Sequence, residues 1–489
     1  MAVQGQSTPG VDTFPGAAST IHAPTPTLHP GDVPVVSATT RLVAGMDLGS
    51  TAMKMLVTDE AGAELVTAQV ETPWRPGAGG AAEMDSATLL DAVQRLVSAA
   101  SSMAAELTDA PIEAVAISGM GETGMLIDAE GVAQAPAFAW YDPRGAAQVM
   151  ALPASIRSAF AGRTGLPLGS QVTVAKLAYL RDGGLDLSGL RWLNLPEFAA
   201  MSLGGHVALE QSLTSRTGLI DLDTGEPWTA MLDELGVDET FLPPRVGAGA
   251  VLGRAASPAL PANLVGAMLT VAGHDHLVAA EADGPLPSGH YHVSMGTAEV
   301  LLRVIDEPLG FEARSRLAGH LINEVQHVVP GKHVLVAGVK SGLLLRRVLQ
   351  SAGIRDRQGR DRLDAEVFGL PYEGNLAPGG LAVSGARNDD GVLRLNIGSD
   401  GVSPAEIFAA VLRHSNDEIG ALIWAMDQEL PPARSSSLTG GWAGMASVRR
   451  ARERVLPALT TSNRAQETAY GAARTACRLL RSNPTNPSS

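Results

Sequence analysis

Asp47-Leu48-Gly49-Ser50-Thr51 closes the apolar run that begins at Arg41. Glycine and hydroxyl residues at a strand end let backbone N–H groups and hydroxyls approach phosphate oxygens. An aspartate just before them suits a hard cation such as Mg²⁺, which prefers oxygen ligands. Ser294-Met295-Gly296-Thr297 repeats the arrangement far down the chain, again at the end of a strand-like run. Either stretch alone reads equally well as an ordinary hairpin turn. Two of them, at equivalent points, suggest two loops gripping one polyphosphate. Neither is a Walker A loop, since G-x-x-x-x-G-K-[ST] is absent.

Between the two turns lies Gly273-His274-Asp275-His276, after the apolar run Ala267–Ala272. A carboxylate presented at a buried strand end is where a general base would sit. The bland alternative is an aspartate that caps the next helix. His274 and His276 would share one face if both lay on a strand, but no third ligand at suitable spacing accompanies them, so a zinc site is not supported. Thr439-Gly440-Gly441-Trp442 precedes a helical stretch, and its paired glycines would let a flat ring or a phosphate lie on the backbone. Glu122 follows Ser118-Gly119-Met120-Gly121, and Trp140-Tyr141-Asp142-Pro143-Arg144 comes shortly after. Carboxylates and a guanidinium for hydroxyls, with a ring face for C–H surface, suit a sugar; an Arg144–carboxylate salt bridge joining two strands is the alternative.

The elements that must position these residues are legible in outline. Arg41–Asp47, Met53–Thr58 and Glu64–Val70 read as strands, with Asp59-Glu60-Ala61-Gly62 as a hairpin turn. Asp85-Ser86 begins a helix to about Leu107, whose Leu89, Val93, Leu96, Val97 and Ala100 share a face. Ile112–Ser118 is the next strand. The order strand, turn, strand restarts at Tyr291, and a helix is expected from Ser341 to Gln350. Two related α/β lobes facing each other follow from this repeat.

The chain has 489 residues, a formal charge of −15 and 4% aromatic residues. The length allows several domains. The acidity and the scarcity of aromatics speak against nucleic acid as a partner. A single cysteine, Cys477, excludes a disulfide framework and fits a reducing, cytoplasmic setting. No apolar run is long enough to span a membrane, and the N-terminus lacks the pattern of a signal peptide. Lysine occurs only at positions 54, 176, 332 and 340. Residues 1–40, rich in Pro, Gly, Ser and Thr, read as disordered or as the product of a start codon upstream of the true one; the tail 482–489 reads as disordered.

Taken in order, these motifs resemble the FGGY family of carbohydrate kinases, with xylulokinase-like and glycerol-kinase-like features. MDLGSTAMK resembles its first phosphate motif, ISGMGETGMLIDAEGVAQAPAFAWYDPR its substrate segment, and TGLPLGSQVTVAKLAYL the stretch that follows it. SLTSRTGLIDLDTGEPW resembles a mid-domain signature and AGHDHLVAA the catalytic aspartate segment. VSMGTAEVLL resembles the second phosphate motif, LTGGWAGMASV the adenosine motif, and ETAYGAARTA the closing helix. The resemblance implies two actin-like (ribonuclease-H-like) lobes, 41–287 and 288–481, with an interlobe cleft. The first would carry the sugar and first phosphate motifs, the second the second phosphate and adenosine motifs. It implies that ATP and Mg²⁺ are used to phosphorylate a hydroxyl of a small sugar or polyol. In that reading Asp275 is the base and Asp47 helps hold the metal. Gly49, Ser50, Thr51, Gly296 and Thr297 face the phosphates, and Gly440 and Gly441 the adenosine. Glu122, Trp140, Asp142, Arg144 and His276 are substrate-side residues. A homodimer is compatible with the family.

Departures from the family pattern bear on the substrate. Gly121-Glu122-Thr123-Gly124 stands where pentulose kinases commonly have Met-His-Gly, and Gly121 takes the arginine position of the glycerol-kinase Arg-Glu pair. His276 replaces the Asn or Gln that usually follows the catalytic aspartate. A carboxylate at 122 repels anions and accepts from hydroxyls, so a neutral ketose or polyol is expected rather than a sugar acid. The competing expectation is a catalytically silent homologue that binds sugar or nucleotide and regulates. An actin-like filament ATPase would not need the Glu122 and Trp140–Arg144 segments.

Overall fold

The computed structural model describes residues 40–371, 380–387, 392–398, 400–462, 464 and 466–483. The readings of 1–40 and 482–489 as disordered fall outside the described residues, apart from Thr40, Ser482 and Asn483.

Two six-stranded sheets organise the chain. The first contains β1 (Leu42–Leu48), β2 (Ala52–Asp59), β3 (Glu64–Glu71), β4 (Ile112–Gly119) and β5 (Met268–His274) in the order β5-β4-β1-β2-β3, with the short strand Gly253–Arg254 beyond β5. The second contains β6 (His290–Met295), β7 (Glu299–Ile305), β8 (His333–Val339), β9 (Ser435–Thr439) and β10 (Leu459–Thr461), with Asn323–Gln326 beyond β8. β1 runs antiparallel to β2 and parallel to β4; β6 runs antiparallel to β7 and parallel to β9. β5 lies parallel to β4 as β10 lies parallel to β9. The repeat expected from two strand–turn segments therefore extends over five strands of each sheet. This is the actin-like pair of α/β lobes.

Local chemistry accounts for the first elements. Asp59 Oδ1 accepts from the backbone N–H groups of Ala61 and Ala63 at 2.9 and 2.8 Å, which folds the β2–β3 turn around Gly62 at φ +93°. Asp85 caps α1 (Ser86–Ala105) by accepting from Thr88 N at 2.8 Å, and the anticipated apolar face is buried. In the second sheet, alternate residues serve different cores. Val300, Leu302, Val334 and Val336 join the apolar cluster of the first lobe, while Leu301, Leu335 and Ala337 face that of the second. This period of two gives the lobes an apolar seam.

The closing helix, α5 (Glu467–Ser482), packs across β1 and β4, in contact with α3 (Asp275–Ala280). Ala472, Ala473 and Ala476 are buried there. Gly45 makes the approach possible: a Cβ on it would stand 1.9 Å from the Ala469 carbonyl oxygen and 2.3 Å from Ala473 N. The last helix of the chain thus covers the sheet that begins it, although it had been placed by sequence with the second lobe.

Candidate active site

The turn Gly49–Thr51 joins β1 to β2 and is held from outside. Thr72 Oγ1 donates to the Gly49 carbonyl at 2.6 Å, and Trp74 Nε1 donates to the Ser50 carbonyl at 2.8 Å. Both anchors follow β3 closely, so the hairpin stack itself positions the turn. Asp47 lies in β1 just before it. Its Oδ1 is buried without a hydrogen-bond partner. Burial pushes its carboxyl up to about 7; the neighbouring Asp275 adds to this and Lys54 opposes it. Two carboxylates sharing a site, one with an orphaned oxygen, fit a divalent cation with oxygen ligands.

Asp275 is the first residue of α3, directly after β5 ends at His274. It does not cap that helix from outside; its Oδ1 accepts from the adjacent His276 N–H at 2.6 Å. His274 Nε2 stands 3.3 Å from the same oxygen. His274 is buried, and desolvation, together with Arg216 and His276, holds its pKa well below the ordinary value, so the ring is neutral. The strand ends between the two histidines, so they do not share a strand face; their rings lie 5.5 Å apart, edge to face. Among the described residues no group of three metal-ligating side chains forms.

Glu122 adopts φ +61°, a left-handed conformation that costs a non-glycine residue about 1–2 kcal/mol. Thr173, at the start of α2 (Thr173–Asp182), donates to its carbonyl at 3.1 Å. Its Oε1 is engaged by Arg216, with Nε at 2.6 Å and Nη2 closing the pair. Arg216 carried no role in the sequence reading, although it stands inside the quoted SLTSRTG stretch.

Trp140 contacts Tyr141 edge to face at 5.4 Å, and Tyr141 meets Trp74 at 6.4 Å. An aromatic chain thus runs from Trp140 to the first phosphate turn. Asp142 and Arg144, expected to offer groups to a sugar, are instead bound to each other. Asp142 is fully buried and accepts from Ala82 N at 2.8 Å, from Arg144 N at 2.8 Å and from Arg144 Nη2 at 2.6 Å. Arg144 also pairs with Glu83 at 2.7 Å and stacks on Phe138 at 4.0 Å. Lys176, on α2, donates to the Asp142, Arg144 and Ser170 carbonyls. This is the salt-bridge alternative realised: a buried charge needs several partners, and here these two residues supply them to one another.

In the second lobe three segments converge. Gly296 N donates to the Ala298 carbonyl at 2.9 Å, and Leu343 N donates to the Thr297 carbonyl at 2.8 Å. Leu343 belongs to the first turn of α4 (Ser341–Ser351). Gly440, at φ +90°, lets the adenosine-motif turn lie against Met295, and Trp442 N reaches the Met295 carbonyl at 3.3 Å. Gly296–Thr297 and Gly440–Gly441 are therefore neighbours, as one nucleotide site requires. Gly342 had not been singled out, yet a Cβ on it would stand 1.8 Å from the Gly296 carbonyl oxygen and 2.7 Å from Trp442 Nε1. Only its position after β8 could have marked it.

Comparison with known proteins agrees with this arrangement. Residues 42–280 match the profile of the FGGY family of carbohydrate kinases, N-terminal domain. A glycerol kinase of Acidiphilium cryptum is 29% identical over 243 residues, which are 47% of this chain and 48% of that enzyme. The chain thus matches about half the length of this curated relative. The fold is similar to a xylulose kinase from Brucella ovis, with a TM-score of 0.76 and 22% identity, covering 91% of this chain and 92% of that one. It is also similar to Plasmodium falciparum glycerol kinase with ADP, with a TM-score of 0.79 and 15% identity, covering 91% of both chains. The segment that carries Asp47, Glu122 and Asp275, residues 42–280, is thus an N-terminal domain of the FGGY family of carbohydrate kinases, and the likeness in fold extends over both lobes.

Proposed function

We propose that the protein transfers the γ-phosphoryl group of ATP to a hydroxyl of a small neutral ketose or polyol, with Asp275 as general base. The observation that carries this reading is the meeting of two carboxylates at strand ends of one sheet, Asp47 from β1 and Asp275 after β5, beside the first phosphate turn. Asp275 takes the proton of the attacking hydroxyl as its oxygen bonds to phosphorus and the bond to ADP breaks. Gly49–Thr51 and Gly296–Thr297 provide N–H groups and hydroxyls for the phosphates, and Gly440–Gly441 a backbone surface for adenosine. Asp47 would help hold Mg²⁺, which would neutralise charge on the phosphates. Phosphoryl transfer asks a protein mostly for positioning and electrostatic stabilisation, so this small set suffices. The neutral His274 beside Asp275 places no fixed cation on its carboxylate, which would otherwise weaken it as a base.

A neutral acceptor is expected because Arg216 is paired with Glu122 and so offers no free cation to an anionic acceptor, while the carboxylate of Asp275 repels one. Among the described residues no helix is long and apolar enough to cross a membrane, and a cytoplasmic location belongs to the same proposal. The test is ADP release with Mg²⁺-ATP across glycerol, erythritol, D-xylulose, D-ribulose, D-fructose and D-gluconate. Turnover with a neutral member above gluconate is the expected result. ATP binding with no turnover on any member would favour the regulatory alternative.

A further inference from the structure

Arg216 holds a position that the phosphate and base assignments do not use. It is nearly buried, with 8% of its surface exposed. Its Nε and Nη2 are spent on Glu122 Oε1, and its Nη1 is buried without any hydrogen-bond partner. A buried guanidinium nitrogen left unpaired is costly, and it marks a place where a ligand oxygen would complete the set. The residue that makes room for it is Gly121. A Cβ there would stand 2.7 Å from Arg216 Cδ, 2.8 Å from its Nε and 3.1 Å from His274 Cδ2. Any side chain at 121 would push the guanidinium away. Contacts then run in one line: Glu122 to Arg216, Arg216 beside His274, and His274 to Asp275 at 3.3 Å. The left-handed backbone of Glu122 is a second local cost paired with this arrangement.

We infer that Arg216 contacts the acceptor substrate through Nη1, in the space left by Gly121, and that the Arg216–Glu122 pair reads two neighbouring oxygens. The inference rests on the kinase reading above. Nη1 donates only, and the Glu122 carboxylate accepts only. A donor and an acceptor side by side match a vicinal diol or an α-hydroxyketone, in which one hydroxyl donates to Glu122 and the adjacent oxygen accepts from Arg216. The pair adds no net charge, so it selects by oxygen spacing rather than by charge. Glu122 therefore works as half of a pair, which revises the reading of it as a lone acceptor for hydroxyls.

The experiment uses the full chain, Mg²⁺-ATP and the best acceptor from the panel above, with its monodeoxy analogue as a second probe. Arg216→Met, which keeps the packing volume, is expected to raise KM for the acceptor about 10–100-fold, the worth of a hydrogen bond to a charged group. KM for ATP should stay within about twofold, and the preference of the parent for the acceptor over the deoxy analogue should shrink by the same factor. Gly121→Ala retains Arg216 but displaces its guanidinium, and should raise the same KM. The double variant should be no worse than Arg216→Met alone, because both changes act through one contact. If Arg216→Met does not fold, Gly121→Ala and its effect on the deoxy preference decide the matter. Parent-like KM and deoxy preference in a folded Arg216→Met, or additive effects in the double variant, overturn the assignment. Absence of acceptor-dependent ADP release with every member of the panel overturns the kinase reading itself, and this inference with it.

Discussion

Replacing Gly342 by alanine should separate two segments that the proposed function assigns to one nucleotide. The added Cβ would lie 1.8 Å from the Gly296 carbonyl oxygen and 2.7 Å from Trp442 Nε1. An ordinary carbon–oxygen contact is about 3.3 Å, so the start of α4 and the second phosphate turn must part by about 1.5 Å. The obstructing atom is backbone, and no rotamer change relieves it. A misplacement of about 1 Å at reacting groups can cost about 100-fold in rate. The expected loss in kcat/KM for ATP is therefore about 100-fold, equivalent to about 2.7 kcal/mol. Overpacking of this kind also costs about 1–3 kcal/mol of stability. Steady-state kinetics with ATP as the varied substrate measure the first effect, and thermal unfolding the second. Gly444→Ala is the control, since a Cβ there meets nothing within 4 Å and should leave both measurements at parent values. Parent-like ATP kinetics and melting in Gly342→Ala would refute the claim that this contact sets the nucleotide site.

Three further outcomes are expected. Asp275→Asn should lower kcat by about 10²–10⁴-fold while the ATP dissociation constant measured by calorimetry stays close to the parent value; parent-like turnover would make Asp275 a structural residue. Asp47→Asn should raise the Mg²⁺ concentration for half-maximal ADP release by roughly 10–100-fold, the usual worth of a group that holds or orients a metal, and an unchanged Mg²⁺ dependence would remove Asp47 from the metal site. Glu197, buried in the first lobe with Oε1 accepting from Glu210 N at 2.8 Å, has its carboxyl pushed up to about 8 by burial. The folded state keeps this proton where the unfolded chain has lost it, so stability should fall as pH rises from the unfolded value near 4.5 toward 8. Urea titrations across that range should show a weaker fall in Glu197→Gln, and an identical pH profile in parent and variant would count against a protonated Glu197.

Local chemistry made much of the site legible from the chain alone. Asp85 before an apolar-periodic stretch defines α1, and Asp59 with Gly62 defines the β2–β3 hairpin, because caps and turns are made by residues a few positions apart. The two strand–turn segments at Asp47–Thr51 and Ser294–Thr297 stand at matching places in the two sheets, so their likeness in sequence reflects a likeness in topology. The order of motifs, in turn, pointed to the family that the profile match supports.

What tertiary structure decided are choices between partners far apart in sequence. Arg144 reads in sequence as a partner for a sugar or for a carboxylate; only the fold supplies its ion pairs with Asp142 and Glu83 and its stacking on Phe138. Glu122 looked like a lone acceptor until Arg216, 94 residues away, closed on it. The apolar face of α5 is plain in the sequence, but a periodic face says only that something must cover it. The cover proved to be β1 and β4, at the other end of the chain, admitted by the missing side chain of Gly45. Periodicity and capping report a residue's own neighbourhood, whereas close approach depends on which surfaces fit, and that is decided only when distant segments pack.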